Sequence, residues 1–352
     1  MRLLRLSKTA STACICFLGI GPLMSAQSQP GNDSKATQPL AASVAQLLAR
    51  ARAYNESVNG MPDYSRAFQL FQQASQQGSA EAKAWLGSMY LRGHGTSKNI
   101  ELAYSLVHQA SDANDPVGLR FMGMLYQNGL GVAQDYSQAK AYYEKAIALN
   151  NAYACGALGR MYLFGLGVQR NKSKAIDLFS QGAALGDPWS QTDLGGLYER
   201  GRVALSADDK AANSVPASSE AGPDYAMALK YYNQAAAAGN RVAIFRLGQM
   251  YENGRGVKQD YSQAFQYYQR AALRGLPEAQ RAFGRLNEEG LGIDVNYIAA
   301  YTFYGLAARN GDAAAEQNLQ SLSRQMTSDQ RQQAEVNIER IHQRRIAEQE
   351  AQ

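Results

Sequence analysis

The sequence predicts an all-α solenoid, and three observations carry that prediction. An apolar residue followed by glycine recurs at Gly87, Gly123, Gly159, Gly195, Gly248 and Gly284, in steps of 36 residues apart from one of 53. A Gly-x-Gly pair follows at the same pitch, at 93/95, 129/131, 165/167, 254/256 and 290/292. Between these marks the apolar residues fall at helical spacing. A fixed period in this range marks a stacked array, which buries one continuous core and has no internal domain boundary. Length alone would suggest two or three domains; the period overrides it.

Each unit reads as two helices. The first carries a small residue, then Leu-Gly, then Tyr: Ala82, Leu86, Gly87, Tyr90; Ala154, Leu158, Gly159, Tyr162; Ala243, Leu247, Gly248, Tyr251. Glycine inside a helix costs about 1 kcal/mol against alanine, so its recurrence predicts close packing that a Cβ would block. Caps mark the helix starts, with Asp115-Pro116 and Asp187-Pro188 as cap followed by proline, and Asn151, Asn240 and Asp312 in the same slot. The first glycine of each Gly-x-Gly pair predicts a left-handed C-cap. As a dinucleotide loop the pair would need a preceding strand, and here it follows a helix each time.

The second helix opens on Asp63, Asn99, Asp135, Asn171, Asp224, Asp260 or Asn296. Asp135 with Gln138, and Asp260 with Gln263, are expected to form capping boxes. Four residues past each cap stands an alanine, from Ala67 to Ala300, and four further comes an aromatic in most units: Phe71, Tyr143, Phe179, Tyr232, Tyr268 and Tyr304. These aromatics read as core rather than as a ligand-stacking track, because they recur in register with the packing glycines.

The strings Leu-Gly-x-x-Tyr, Gly-x-Gly-Val, Asp-Tyr-Ser-x-Ala and Tyr-Tyr-x-x-Ala resemble the Sel1-like repeat, a tetratricopeptide relative, most fully from Gly123 to Ala146 and from Gly248 to Ala272. The resemblance spans about residues 61 to 317. It implies a right-handed αα superhelix whose concave face is lined by the first helix of each pair, and a bacterial exported protein that binds other proteins. The Helicobacter cysteine-rich proteins resemble this fold but pair cysteines within each unit. This chain lacks those pairs, so the resemblance brings no penicillin-binding activity.

Outside the repeats, Arg2, Arg5 and Lys8 precede an apolar run from Ala10 to Met24 and a small-residue site at Ser25-Ala26, which predicts a signal peptide over 1–26. The run is too short, and Pro22 breaks it, for the roughly 20 apolar residues of a membrane span. Removing those three charges from the formal +5 leaves about +2, so no nucleic-acid partner is expected. Residues 27–40 read as a disordered lead-in, and 41–60 as an imperfect N-terminal capping helix. The solenoid is expected over 61–326, with a loop insertion at 202–223. Residues 327–352 are strongly polar and read as a C-terminal capping helix.

Function is expected where the repetition breaks on the first helices. Three residues before each glycine stand Arg120, Phe245 and Arg281 among others; one residue after stand Met124, Arg160, Gln249 and Arg285. Slots four apart share a helix face. They would offer cationic donors beside an apolar wedge, a composition suited to an acidic peptide segment. An exposed arginine is also an ordinary helix former, and the sequence leaves both readings open.

No catalytic, metal or cofactor site is expected. Once the signal is removed Cys155 is the sole cysteine, and His94, His108 and His342 have no metal-ligand spacing. Glu288 and Glu289 are adjacent, hence not face to face as a catalytic carboxylate pair. The sequence therefore predicts a non-enzymatic, monomeric adaptor in the periplasm or secreted, whose partner is a protein such as an envelope enzyme or sensor domain. The alternative is a regulator or accessory factor of peptidoglycan or exopolysaccharide machinery. A cell-wall or β-lactam hydrolase is the remote one.

Overall fold

The computed structural model describes residues 43–56, 62–201 and 222–350. The predicted signal, the lead-in and nearly all of the insertion lie outside them. The described residues form helices joined by turns, with no strand: α1 (Val44–Glu56), α2 (Tyr64–Gln76), α3 (Ala80–Arg92), α4 (Ile100–Asp112), α5 (Pro116–Asn128), α6 (Tyr136–Ala148), α7 (Ala152–Phe164), α8 (Lys172–Ala184), α9 (Pro188–Glu199), α10 (Tyr225–Ala237), α11 (Arg241–Asn253), α12 (Tyr261–Leu273), α13 (Pro277–Glu289), α14 (Tyr297–Arg309), α15 (Ala313–Ser323) and α16 (Ser328–Glu350). Odd and even helices pair as hairpins from α1–α2 to α13–α14, and each hairpin packs on the next. This is an all-α repeat solenoid.

Local chemistry sets the helix ends. All seven predicted caps of the second helices accept a backbone N–H through their side chains, from Asp63 to Arg66 through Asn296 to Ala299. The capping boxes close only halfway. The Asp135 N–H donates 2.9 Å to the Tyr126 carbonyl and the Asp260 N–H 2.9 Å to that of Tyr251. Gln138 and Gln263 are thus left without that donor, because the cap N–H stitches the second helix to the tyrosine of the first.

The predicted C-cap glycines are left-handed, for example Gly129 at φ 66° and Gly165 at φ 73°. The second glycine of each loop also has positive φ, and it meets the preceding repeat. A Cβ on Gly167 would collide with Tyr136, the first residue of α6, and one on Gly256 with Tyr225, the first of α10. Each loop therefore rests on the start of the previous second helix.

The Leu-Gly glycines leave room for the core aromatic of their own hairpin. A Cβ on Gly123, Gly159, Gly195, Gly248 or Gly284 would stand 2.6–2.8 Å from a ring carbon of Tyr143, Phe179, Tyr232, Tyr268 or Tyr304; at Gly87 it would meet Val107 at 2.5 Å. Those rings are essentially fully buried. The alanines four past each cap are fully buried as well.

The ends of the array differ. In α1, Leu47, Leu48 and Ala51 are buried against α2, and Ala51 stands 36 residues before Gly87, in the glycine slot. At the other end α16 lies on α14, where Ile338 fills the space that a Cβ on Gly305 would need, while Ala334 is buried beside it.

Candidate interaction surface

Two pairs of successive first helices touch, α3 with α5 and α7 with α9, whereas within the hairpins α1–α2 to α13–α14 no pair of second helices meets as closely among the described residues. The first helices thus form the tighter row of the stack. The seven groove candidates lie along it, on α5, α7, α11 and α13.

Their surroundings differ sharply. Arg160 reaches Asp193 at 2.8 Å, and Arg281 reaches Asp312 at 2.8 Å. Arg285 is held between Glu252 and Glu289. Arg255, in the loop that follows α11, bonds Glu199 at 3.0 Å. Phe245 tilts against Tyr268 at 5.4 Å between ring centres and is partly buried. Gln249 accepts 3.0 Å from Arg246, and Met124 packs beside the core around Phe121. Arg120 makes no ion pair with any described residue. Its guanidinium lies 3.9 Å from the Phe121 ring centre, 5.2 Å from that of Tyr153 and 5.7 Å from that of Trp85.

Sequence reasoning missed the carboxylates that serve this row. The buried tyrosine of a second helix donates its hydroxyl to the residue four past the Leu-Gly glycine: Tyr232 to Glu199 at 2.8 Å, Tyr304 to Glu288 at 2.7 Å, Tyr143 to Gln127 at 2.9 Å, and Tyr268 to Glu252. Burial, reinforced by the carboxylate where one is present, pushes these phenols well above the usual tyrosine range. Glu199 and Glu252 then use their other oxygen for Arg255 and Arg285. The arginine one repeat on is the visible sign of this arrangement in the sequence.

Groups weighed as chemistry are occupied structurally. Cys155 is fully buried and burial pushes its thiol up to about 11, the reverse of an activated nucleophile. His94 stacks on Tyr64 at 3.8 Å, and burial together with Arg92 lowers it to about 4. His108 pairs with Asp112 at 2.8 Å. Among the described residues no three metal-ligating side chains group together.

With the hairpins, the packing glycines and the arginine row in place, the repeat can be compared with known families. The Sel1 repeat matches at residues 46–79, 80–115, 116–151, 152–187, 219–240, 241–276 and 277–312, more than half of the chain. The chain belongs to the Sel1-repeat family. Its first matched repeat takes in most of α1, and α15 and α16 lie beyond the last one. The Sel1 repeat protein from Oxalobacter formigenes is 25% identical, with 75% of this chain and 99% of that one covered at a TM-score of 0.54. A protective antigen present in uropathogenic Escherichia coli strains is 27% identical, covering 85% of this chain and 68% of that one, at a TM-score of 0.43. An immunity protein from Pseudomonas aeruginosa is 19% identical, covering 78% and 84%, also at 0.43. No curated protein is significantly similar in sequence. No helix among the described residues is long and apolar enough to cross a membrane.

Proposed function

We propose that this Sel1-repeat chain is an exported, monomeric adaptor of the bacterial cell envelope that docks a protein partner along its row of first helices. One observation carries the reading: the recurring cap and core side chains are taken up in capping or packing, while the slots flanking the Leu-Gly glycine on α5, α7, α11 and α13 carry Arg120, Arg160, Gln249, Arg281 and Arg285, which do not recur. The signal-like pattern over residues 1–26 supports export. An envelope enzyme or sensor domain, including those of peptidoglycan or exopolysaccharide machinery, is the partner class such a module would meet. With most of the row's arginines already compensated, the partner surface must match polar and apolar groups rather than a broad positive field.

The test is affinity capture from envelope extract with wild type and with Arg281→Glu/Arg285→Glu, after circular dichroism has shown equal helicity. Recovery of the partner is expected to fall about fivefold or more, the size of losing one interface hot spot. Equal recovery would exclude the first-helix row as the docking face.

A further inference from the structure

Arg120 and Arg281 occupy the same slot of their repeats, three residues before Gly123 and Gly284. Arg281 bonds Asp312, which also caps α15 through its other oxygen. The equivalent residue for Arg120 is Asn151. It too caps its helix, at 3.1 Å to the Ala154 N–H, but it spends its remaining polar atom donating 3.0 Å to the Pro116 carbonyl. A neutral amide thus replaces the carboxylate that the slot carries four repeats further on.

The consequence is a guanidinium with no ion-pair partner among the described residues. Arg120 Nε is enclosed and has no hydrogen-bond partner among the described residues. Burial lowers the group to about 10, so it keeps its charge at neutral pH, and Arg92 adds like-charge repulsion. Asp187 and Asp115 act on it only from beyond ion-pair range. The rings of Phe121, Tyr153 and Trp85 recover part of the cost of desolvation through cation–π attraction. Leaving a buried charge unpaired remains expensive. The residue as a whole is half-buried and keeps some solvent contact.

We propose that Arg120 is the anchor for a single carboxylate of the docked protein, seated on the row between Trp85 and Tyr153. The inference rests on the reading of that row as the docking face. A guanidinium fork matches a carboxylate in two parallel hydrogen bonds, and one uncompensated positive charge matches one negative charge better than a dianionic phosphate. The aromatic rim suits the apolar flank of a peptide.

Trp85 reports on the site directly. In a Trp189→Phe background it is the remaining tryptophan, and its emission can be followed during titration with four probes. These are a terminally blocked Gly/Glu hexapeptide, its Gln counterpart, the Gln peptide with a free C-terminus, and inorganic phosphate. A saturable change is expected with the Glu peptide or the free C-terminus, which tells a side-chain carboxylate from a terminal one. Little change is expected with the blocked Gln peptide. Arg120→Met and Asn151→Asp, the second supplying the missing internal carboxylate without disturbing the cap, should each weaken binding about tenfold, the loss of one charge-assisted pair. Arg309→Met, whose arginine on α14 already pairs with Glu339 away from the row, should change it less than about twofold. Absence of saturable binding, binding unchanged in Asn151→Asp, or phosphate binding as tightly as the peptides would overturn the anchor. Loss of the anchor with partner capture still sensitive to Arg281 and Arg285 would leave the docking face standing.

Discussion

The core residue of each second helix and the residue four past the Leu-Gly glycine change together. Tyr143 goes with Gln127, Tyr232 with Glu199, Tyr268 with Glu252 and Tyr304 with Glu288, whereas Phe179 goes with Leu163 and Val107 with Leu91. The physical reason is the asymmetry of buried hydrogen bonding: a pair costs little, but an orphaned partner costs about 1–3 kcal/mol. Tyr143→Phe and Gln127→Leu are each expected to destabilise by about 1–2 kcal/mol, since either leaves one polar group unmet. The double variant recreates the Phe179–Leu163 pairing and should return to within about 0.5 kcal/mol of wild type. Urea denaturation of the four proteins measures this coupling, and strictly additive losses would refute it.

For the helical hairpin, the stitch between cap and tyrosine explains how one unit tolerates its insertion. Asp224 N–H donates 3.0 Å to the Tyr198 carbonyl, as Asp135 does to Tyr126 and Asn171 to Tyr162 at 2.9 Å. The hairpin α9–α10 therefore closes by the same bond as its neighbours although more chain lies between. Cutting the segment 202–221 down to the length of the 254–259 connection should leave helicity intact. The shorter loop lowers closure entropy by about 1 kcal/mol, which raises Tm by about 2–4 °C in a chain of this size. Thermal circular dichroism checks it; a lower Tm or a broadened transition would show that the segment holds the hairpin together.

Across the whole molecule, each repeat packs chiefly on its neighbours, so damage should stay local. Gly159→Ala tests both the packing glycine and this locality. The added Cβ would stand 2.7 Å from the Phe179 ring. Overpacking of that kind costs about 1–3 kcal/mol, more than the ~1 kcal/mol of helix propensity that alanine supplies. Amide exchange should quicken through α7, α8 and the adjoining helices while α14 keeps its protection. Uniform quickening along the chain would contradict a nearest-neighbour array.

The hairpins, their caps, the left-handed loop glycines and the packing role of Leu-Gly were legible in the sequence because each depends on contacts within one 36-residue unit. The capping boxes were misread in part for a related reason: Gln138 and Gln263 have the right spacing, but Tyr126 and Tyr251 compete for the same N–H and win. The arginine row shows where local pattern stops. Arg160, Arg281 and Arg285 on the row and Arg255 in the loop after α11 find carboxylates 33, 31, 33 and 56 residues away, and Arg285 adds Glu289 on its own helix. Sequence by itself determined the repeat, its period and its core, since these follow from periodicity and backbone chemistry. Which of the row's arginines are paired, and that Arg120 has no ion-pair partner among the described residues, follows only from how the repeats pack. Charge compensation depends on distances between repeats, and at Arg120 that distance leads to an asparagine instead of an aspartate.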